Sequence, residues 1–295
     1  MRHSRNLIPQ WPETSKIELG MRDILDPHFR ALQCGISEFT FANIYLFRDI
    51  HQYRITDFGG NVLMITGRDR EETFFMLPFS LPGRERIDDL LGLFSFMKNA
   101  SKAQAGTLGS MGFDVRADKD NFDYLYLRDD LARLEGRKFH RKRNRVRHFL
   151  SLYECVYRPL TPDRVDHALQ VLEEWRLTSG REGDYGPARE ALLQMGPLCL
   201  QGLVYYIDGR PVAYTMGEPM PGGLFAVHFE KGLAEYQGLM QFVNQSFAAS
   251  LPQEIRYINR EQDLGIEGLR KAKLSYRPDR FVEKFRIYRA GAGRS

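Results

Sequence analysis

Apolar and polar positions alternate along this chain in two rhythms, one of strands and one of helices. From Ser37 to Ser80 the runs FTFANIYLF, QYRITDF, NVLMITG and TFFMLPF are rich in β-branched and aromatic residues, and Gly59-Gly60 supplies a turn between the second and third. That pattern predicts a strand meander. From Arg84 to Ala100, Ile87, Leu90, Leu91, Leu93, Phe94 and Met97 recur at helical spacing, and strand character returns in FDYLYLRD, Phe122 to Asp129. A strand over Tyr153 to Leu160 is followed by Thr161, Pro162 and Asp163, which open a helix with Val165, Leu169, Leu172 and Trp175 on its apolar face. LVYYI and VAYTMGE flank Asp208-Gly209, the strongest hairpin signal in the chain. LFAVHFEK, Leu224 to Lys231, predicts the next strand, and Gly238 to Leu251 a helix with Leu239, Phe242, Val243, Ser246 and Phe247 inward. A last strand is expected over Arg280 to Tyr288.

Between the two halves the composition changes. Arg133, Arg137, Lys138, Arg141, Lys142, Arg143, Arg145 and Arg147 stand against the single acid Glu135, in a chain whose net charge is only +4. The rest of the chain is therefore net acidic, and positive charge is concentrated in one segment. Read as a helix, it places Lys138, Arg141, Lys142, Arg145 and His148 on one face, with Phe139, Val146, Phe149 and Leu150 free to seat the other on a core. A solvated linker helix would have this composition, and so would a surface for a polyphosphate, RNA or an anionic headgroup. The expected division is a sheet-and-helix domain over 1–130, a basic connecting helix over 131–152, and a second sheet-and-helix domain over 153–295.

The stretch NREQDLGIEGLRKAKLSY, Asn259 to Tyr276, follows the apolar run Ile255 to Ile258, so its polar residues should lie where a strand gives way to a helix. Chemistry in α/β proteins gathers at such strand ends. Asp263 is placed to cap the helix, Glu267 lies in its first turn, and Arg270, Lys271 and Lys273 lie near its end before Pro278. Gly265 and Gly268 would each cost about 1 kcal/mol inside a helix, which suggests close approach of another backbone or a ligand.

With 43% hydrophobic residues and 12% aromatics, the chain can build packed cores. Cys34, Cys155 and Cys199 are scattered, and the histidines show no metal-ligand spacing, so neither a disulfide framework nor a metal is expected. No apolar run approaches the ~18 residues of a membrane span, and the start lacks an apolar signal region; a cytoplasmic location is expected.

HFEKG at His228 to Gly232, YQGLMQFVNQSFA at Tyr236 to Ala248, and NREQDLGIEGLRKAKLSYRP at Asn259 to Pro278 closely resemble the family that shares the C-terminal domain of bacterial phosphatidylglycerol lysyltransferases. FTFANIYLF and GRKFHRKRN, Gly136 to Asn144, extend the likeness over nearly the whole chain. The resemblance implies an α/β (α+β) fold: two tandem GCN5-related N-acyltransferase-like domains, each with a mixed, mostly antiparallel sheet flanked by helices and the active site in the second. It also implies transfer of an aminoacyl group from aminoacyl-tRNA to a lipid, peptide or small-molecule acceptor, with no cofactor. The membrane-embedded half of the lipid lysyltransferases is not in this sequence. Peripheral contact with an anionic membrane is nevertheless expected.

An aminoacyl ester is already activated, so the enzyme must mainly align donor and acceptor, accept a proton and stabilise an oxyanion. Glu230 and Asp263 are candidates for the proton or for gripping the donor's amino group; Arg270 and Lys273 are candidates for the oxyanion or a phosphate. Lys231, Asn259, Arg260 and Ser275 are candidate substrate contacts. Tyr236, Gln237 and Gly238 precede a helix whose free N–H groups could take a phosphate. Lys138, Arg141, Lys142 and Arg145 would receive the tRNA. The four catalytic candidates are expected to converge on one cleft opening toward the basic helix. His228 reads as a satisfied core histidine. Structural ion pairs would account equally for each acid and base, and two other functions fit the residues: an acyl-CoA-dependent N-acyltransferase and a non-catalytic RNA-binding module.

Overall fold

The structure, a computed structural model, describes residues 7–60, 62–180 and 183–291. The basic start (Arg2, His3 and Arg5) and Asn61 at the head of the NVLMITG run lie outside the described residues. In chain order come β1 (Ser15–Lys16), α1 (Arg22–Arg30), α2 (Phe41–Leu46), β2 (Arg54–Asp57), β3 (Leu63–Asp69), β4 (Glu72–Met76), α3 (Arg84–Leu93), β5 (Phe96–Ser101), α4 (Lys102–Ser110) and β6 (Asp114–Ala117). Next are β7 (Asp123–Leu127), α5 (Arg128–Arg133), α6 (His140–Leu152), β8 (Cys155–Pro159), α7 (Val165–Ser179), α8 (Tyr185–Leu193), β9 (Gln201–Ile207), β10 (Arg210–Met220) and β11 (Leu224–Gly232). The chain closes with α9 (Leu239–Ser250), β12 (Tyr257–Asn259), α10 (Glu267–Leu274), β13 (Arg280–Val282) and β14 (Lys284–Tyr288).

Contacts separate the chain into two units, the described residues of Met1–Phe122 with Val282–Ser295, and Asp123–Phe281. The boundaries expected at 130 and 153 are displaced because strands are exchanged in sequence: β7 pairs with β12 in the second sheet, and β14 runs between β5 and β6 in the first. The single strand expected over Arg280–Tyr288 is accordingly two, with one piece in each sheet.

The first unit holds the sheet β1-β2-β3-β4-β5-β14-β6, antiparallel except where β4 meets β5. Its core includes Met64, Phe75, Ile87, Leu90, Met97, Leu108 and Ile287. Two expectations fail here. Phe39–Phe47 is not a strand: Thr40 accepts the Asn43 amide as an N-cap, and all six residues of α2 are buried. A short helix that is apolar on every side has no amphipathic stripe, so periodicity cannot tell it from a buried strand. The helix expected through Ala100 stops at Leu93, because Ser95 donates to the Thr73 carbonyl and β5 then pairs with β4; tertiary pairing overrides the helical spacing. Beyond it, α4 has a capping box between Ser101 and Gln104 that the expected helix had hidden.

The second unit holds the sheet β13-β7-β12-β11-β10-β9-β8. The Asp208-Gly209 hairpin forms as expected, with both residues at positive φ, 50° and 79°. Against the sheet packs α9 through Leu239, Val243 and Phe247. The basic segment is not one helix: Leu134 (φ 50°) and Gly136 (φ 80°) turn the chain between α5 and α6. Phe139, Val146 and Phe149 are buried as expected, whereas Leu150 is exposed.

Candidate functional site

β11 and β12 are parallel, and their pairing covers only Leu224 to Ala226 against Tyr257 to Asn259. Beyond that point β11 continues beside β10 while the residues after Asn259 follow β7, where the Arg260 amide donates to the Tyr124 carbonyl. Two parallel strands that part in this way leave backbone groups and side chains facing a gap. Arg260 spans it, its Nη2 donating to Glu230 Oε1 at 2.8 Å, with only 17% and 12% of the two side chains exposed. Burial disfavours the Arg260 charge, but the neighbouring Glu230 carboxylate together with Tyr126 and Tyr276 more than offsets this, holding its pKa above the ordinary value.

This ion pair lies at a cleft of about 1330 Å³. Its walls come from α6 and the turn before it (Arg137, Lys138, His140, Arg141, Lys142, Asn144, Arg145), from α9 (Met240, Gln241), and from α10 with the residues after it (Leu269 and Lys271 to Arg277). Among the described residues, the lining carries nine lysines and arginines and a single carboxylate, Glu230. Lys138 is paired with Asp130 at 2.5 Å and Lys271 with Glu267 at 2.5 Å. Arg137, Arg141, Lys142, Arg145 and Arg277 have no carboxylate partner among the described residues. Lys142 sits over the Tyr276 ring, 3.9 Å from its centroid. Burial, then repulsion from Arg145 and Arg260, lowers its ammonium to about 8.

Glu230, Arg260, Lys273, Ser275 and the four basic candidates Lys138, Arg141, Lys142 and Arg145 thus meet at one cleft. Lys273 does so with its ammonium already engaged, donating to the carbonyls of Arg260, Glu261 and Gln262. It staples the turn between β12 and α10. Burial first, then Arg260, lowers its pKa to about 8, against the opposing pull of nearby acids.

The other candidates lie elsewhere. Asp263 and Arg270 do not line the cleft. Asp263 is buried and takes both Arg270 nitrogens at 2.8 and 2.7 Å, the Tyr124 hydroxyl at 2.5 Å and the Gly265 amide at 2.9 Å. Nor does Asp263 cap the helix, whose N-cap is Ile266; Gly265 sits in the preceding turn at φ 73°, so a left-handed turn accounts for it and only Gly268 is helical. Asn259 is buried, its Nδ2 donating to Asp123 and its Oδ1 accepting the Glu261 amide. Alternation along β11 turns Lys231 away from Glu230: its ammonium bonds Asp184 at 2.6 Å and lies over the Trp175 ring.

Tyr236 accepts from Arg210, Gln237 is exposed, and Gly238 holds α9 against α6. Gly238 has φ 95°, and a Cβ there would lie 2.7 Å from the Arg145 carbonyl oxygen. The Leu239 and Gln241 amides donate to the Tyr236 and Gly238 carbonyls, so this helix start offers fewer free N–H groups than the sequence suggests. Gly238→Ala is expected to lower stability by about 1–3 kcal/mol, read from the urea midpoint. An unchanged midpoint would contradict this packing.

Met240, Gln241, Asn144 and Arg277 were not singled out by the sequence reading, and Arg137 and Lys271 were read only as part of the basic segment and of the end of the last helix. Met240 and Gln241 could have been found as the residues just after Gly238 on the face left over by the apolar stripe; Arg277, at φ 55° after α10, gives no comparable signal. Among the described residues no helix is long and apolar enough to cross a membrane, and no three of His, Cys, Asp and Glu gather as metal ligands would.

Comparison with known proteins gives a consistent picture. A structure from Bacteroides thetaiotaomicron, described as a conserved protein of unknown function, is similar at 30% identity and a TM-score of 0.83, covering 93% of this chain and 98% of that one. At 14% identity the fold is shared with the C-terminal domain of a provisionally assigned lysylphosphatidylglycerol synthetase from Agrobacterium fabrum (TM-score 0.60; 85% and 87% covered). It is shared at the same identity with L-PGS from Bacillus licheniformis (TM-score 0.55; 82% and 85% covered). No curated protein matches. The profile of one family matches residues 29–288 and so takes in both units and every residue of the cleft: the chain belongs to the family described as phosphatidylglycerol lysyltransferase, C-terminal, with an acyltransferase-type fold.

Proposed function

We propose that this acyltransferase-family protein takes an aminoacyl group from aminoacyl-tRNA and passes it to an amine or hydroxyl of a lipid, peptide or small molecule. The observation that carries the reading is the set of unpaired cations around a cleft that ends at a buried carboxylate–guanidinium pair. Phosphates of an acceptor stem would be held by Arg137, Arg141, Lys142 and Arg145, contacts that position without reading sequence. In the transfer, the acceptor nitrogen or oxygen attacks the ester carbonyl, the new acyl bond forms, and the ester C–O bond breaks. The terminal ribose hydroxyl leaves with the proton that the nucleophile surrenders.

Incubation with a mixture of charged tRNAs and candidate acceptors, following loss of the aminoacyl ester, tests the reading. Acceptor-dependent loss is expected, and unchanged deacylation with every amino acid would overturn it. The fold also suits an acyl-CoA donor, for which a thermal shift with acetyl-CoA is the check; the engaged amides at the start of α9 and the cationic lining favour tRNA. If Glu230→Ala leaves RNA binding intact and there is no transfer to lose, the chain is an RNA-binding module instead. Peripheral contact with an anionic membrane and a cytoplasmic location remain part of this proposal.

A further inference from the structure

The sheet of the second unit ends at β8 on one side and at β13, three residues long, on the other. β8 pairs with β9 without a register shift, from Cys155 opposite Ile207 to Pro159 opposite Leu203, and the Leu160 amide continues the ladder to the Gly202 carbonyl at 2.8 Å. In an antiparallel ladder, residues that bond the neighbouring strand alternate with residues that face away from it. Val156 and Arg158 therefore face β9 with Leu160, and Cys155 and Tyr157 turn their amides and carbonyls outward. Edge strands usually hide such groups behind a bulge, a lysine, a proline or a covering element. Here Pro159 stands only at the end of the strand. Val156 and Tyr157 are 41% and 38% exposed, and the residues just before the strand add Leu150 and Leu152 at 49% and 56%.

A second copy of the same strand, run antiparallel about a two-fold axis at Val156, fits these groups. Cys155 of one protomer then lies opposite the partner's Tyr157, so outward amides and carbonyls meet in both directions. Pro159, which has no amide to give, falls beyond the pairing. Val156 faces its own counterpart at a closely spaced position, and on either side of it Glu154 stands directly opposite the partner's Arg158, an opposite-charge pair repeated by the symmetry. Moving the axis to Tyr157 would instead set Arg158 against Val156 and bring Pro159 into the ladder. Both charged side chains are exposed and open to such a pairing: Glu154 has no ion pair or hydrogen bond among the described residues, and Arg158 hydrogen-bonds only the neighbouring Tyr157 carbonyl, at 3.0 Å. The partner's Cys155 amide would take that carbonyl and release Arg158 to the glutamate. We infer that β8 is a homodimer interface, joining the second-unit sheets of two copies edge to edge. One short strand pair buries less than the roughly 1,200 Å² of a stable interface, so a weak dimer is expected, with a Kd on the order of 10–100 µM.

Sedimentation velocity of the full chain from about 1 to 500 µM provides the test. No tRNA or acceptor is present, so the result stands apart from the transferase reading. A monomer–dimer equilibrium is expected. Glu154→Arg and Arg158→Glu each set like charges opposite one another across the axis and are expected to raise Kd about tenfold or more. Mixed in equal amounts, the two variants bring opposite charges together again at both positions. Association is then expected to return to within about threefold of the wild-type value, which also shows that each variant is folded. A wild type that stays monomeric throughout, single variants that associate like the wild type, or a mixture that stays as weak as its components overturns the inference.

Discussion

Replacing His228 with leucine is expected to lower the unfolding free energy of the second unit by about 3–5 kcal/mol, the usual consequence of leaving buried charges without their partner. The ring has no exposed side-chain surface; its Nδ1 lies 2.7 Å from Glu261 and its Nε2 3.1 Å from Glu218. Burial alone would lower its pKa. Hydrogen bonds to the two carboxylates and their charges prevail, raising it to about 10 from an ordinary value near 6.5. His228 is therefore an imidazolium donating from both nitrogens, and leucine would set two glutamates around a hydrocarbon. Because the folded-state pKa is the raised one, this stabilisation is fully present below about pH 6.5 and is lost as pH rises through about 10. Urea unfolding of wild type and variant from pH 6 to 10.5 should show their difference shrinking toward the alkaline end. A difference that stayed flat or grew would mean that the histidine is neutral in the fold.

The second large effect is on nucleic-acid affinity. Converting Arg141, Lys142 and Arg145 together to alanine should weaken tRNA binding about 100-fold at low salt. The slope of log K against log salt should fall by about 2–3, since each lost phosphate contact removes roughly 0.7–0.9. Alanine favours helix, so α6 and its buried Val146 and Phe149 should persist, and far-ultraviolet circular dichroism should be unchanged. Lys142 adds a signature of its own. Its ammonium titrates near 8, so the wild-type slope should ease between pH 7 and 9, whereas that of the triple variant should not. An unaltered salt slope in the triple variant would place the RNA elsewhere on the chain, and the transferase reading would lose its main support.

Both predictions depend on groups that the sequence treats very differently. The concentration of positive charge between Arg133 and His148 is plain from composition, because no neighbouring acids dilute it. The expected convergence was met in part: Glu230 and Lys273 border the cleft, while Asp263 and Arg270 are bound to each other outside it. At the level of residue types these four are indistinguishable. An aspartate seven residues before an arginine can face a ligand or close on that arginine; the positive φ of Leu264 and Gly265 turns the chain so that it closes. The bond between Glu230 and Arg260 joins positions thirty residues apart, and only the parting of β11 from β12 brings them together.

What the amino-acid sequence determined alone is what local physics determines: the periodicity of α7, α9 and the strands β8 to β11, the Asp208-Gly209 hairpin, the end of α10 before Pro278, and the family resemblance in three motifs. Short-range sterics, capping and alternation act within a few residues and leave their mark in the order of the chain. Tertiary structure decided the rest. It made Phe41–Leu46 a helix and Phe96–Ser101 a strand, carried β14 back to the first sheet, and placed β7 in the second. It also sorted the acids and bases into those that face the cleft and those that hold the fold. In each case the deciding interaction joins residues far apart in the chain, whose energy no local window contains.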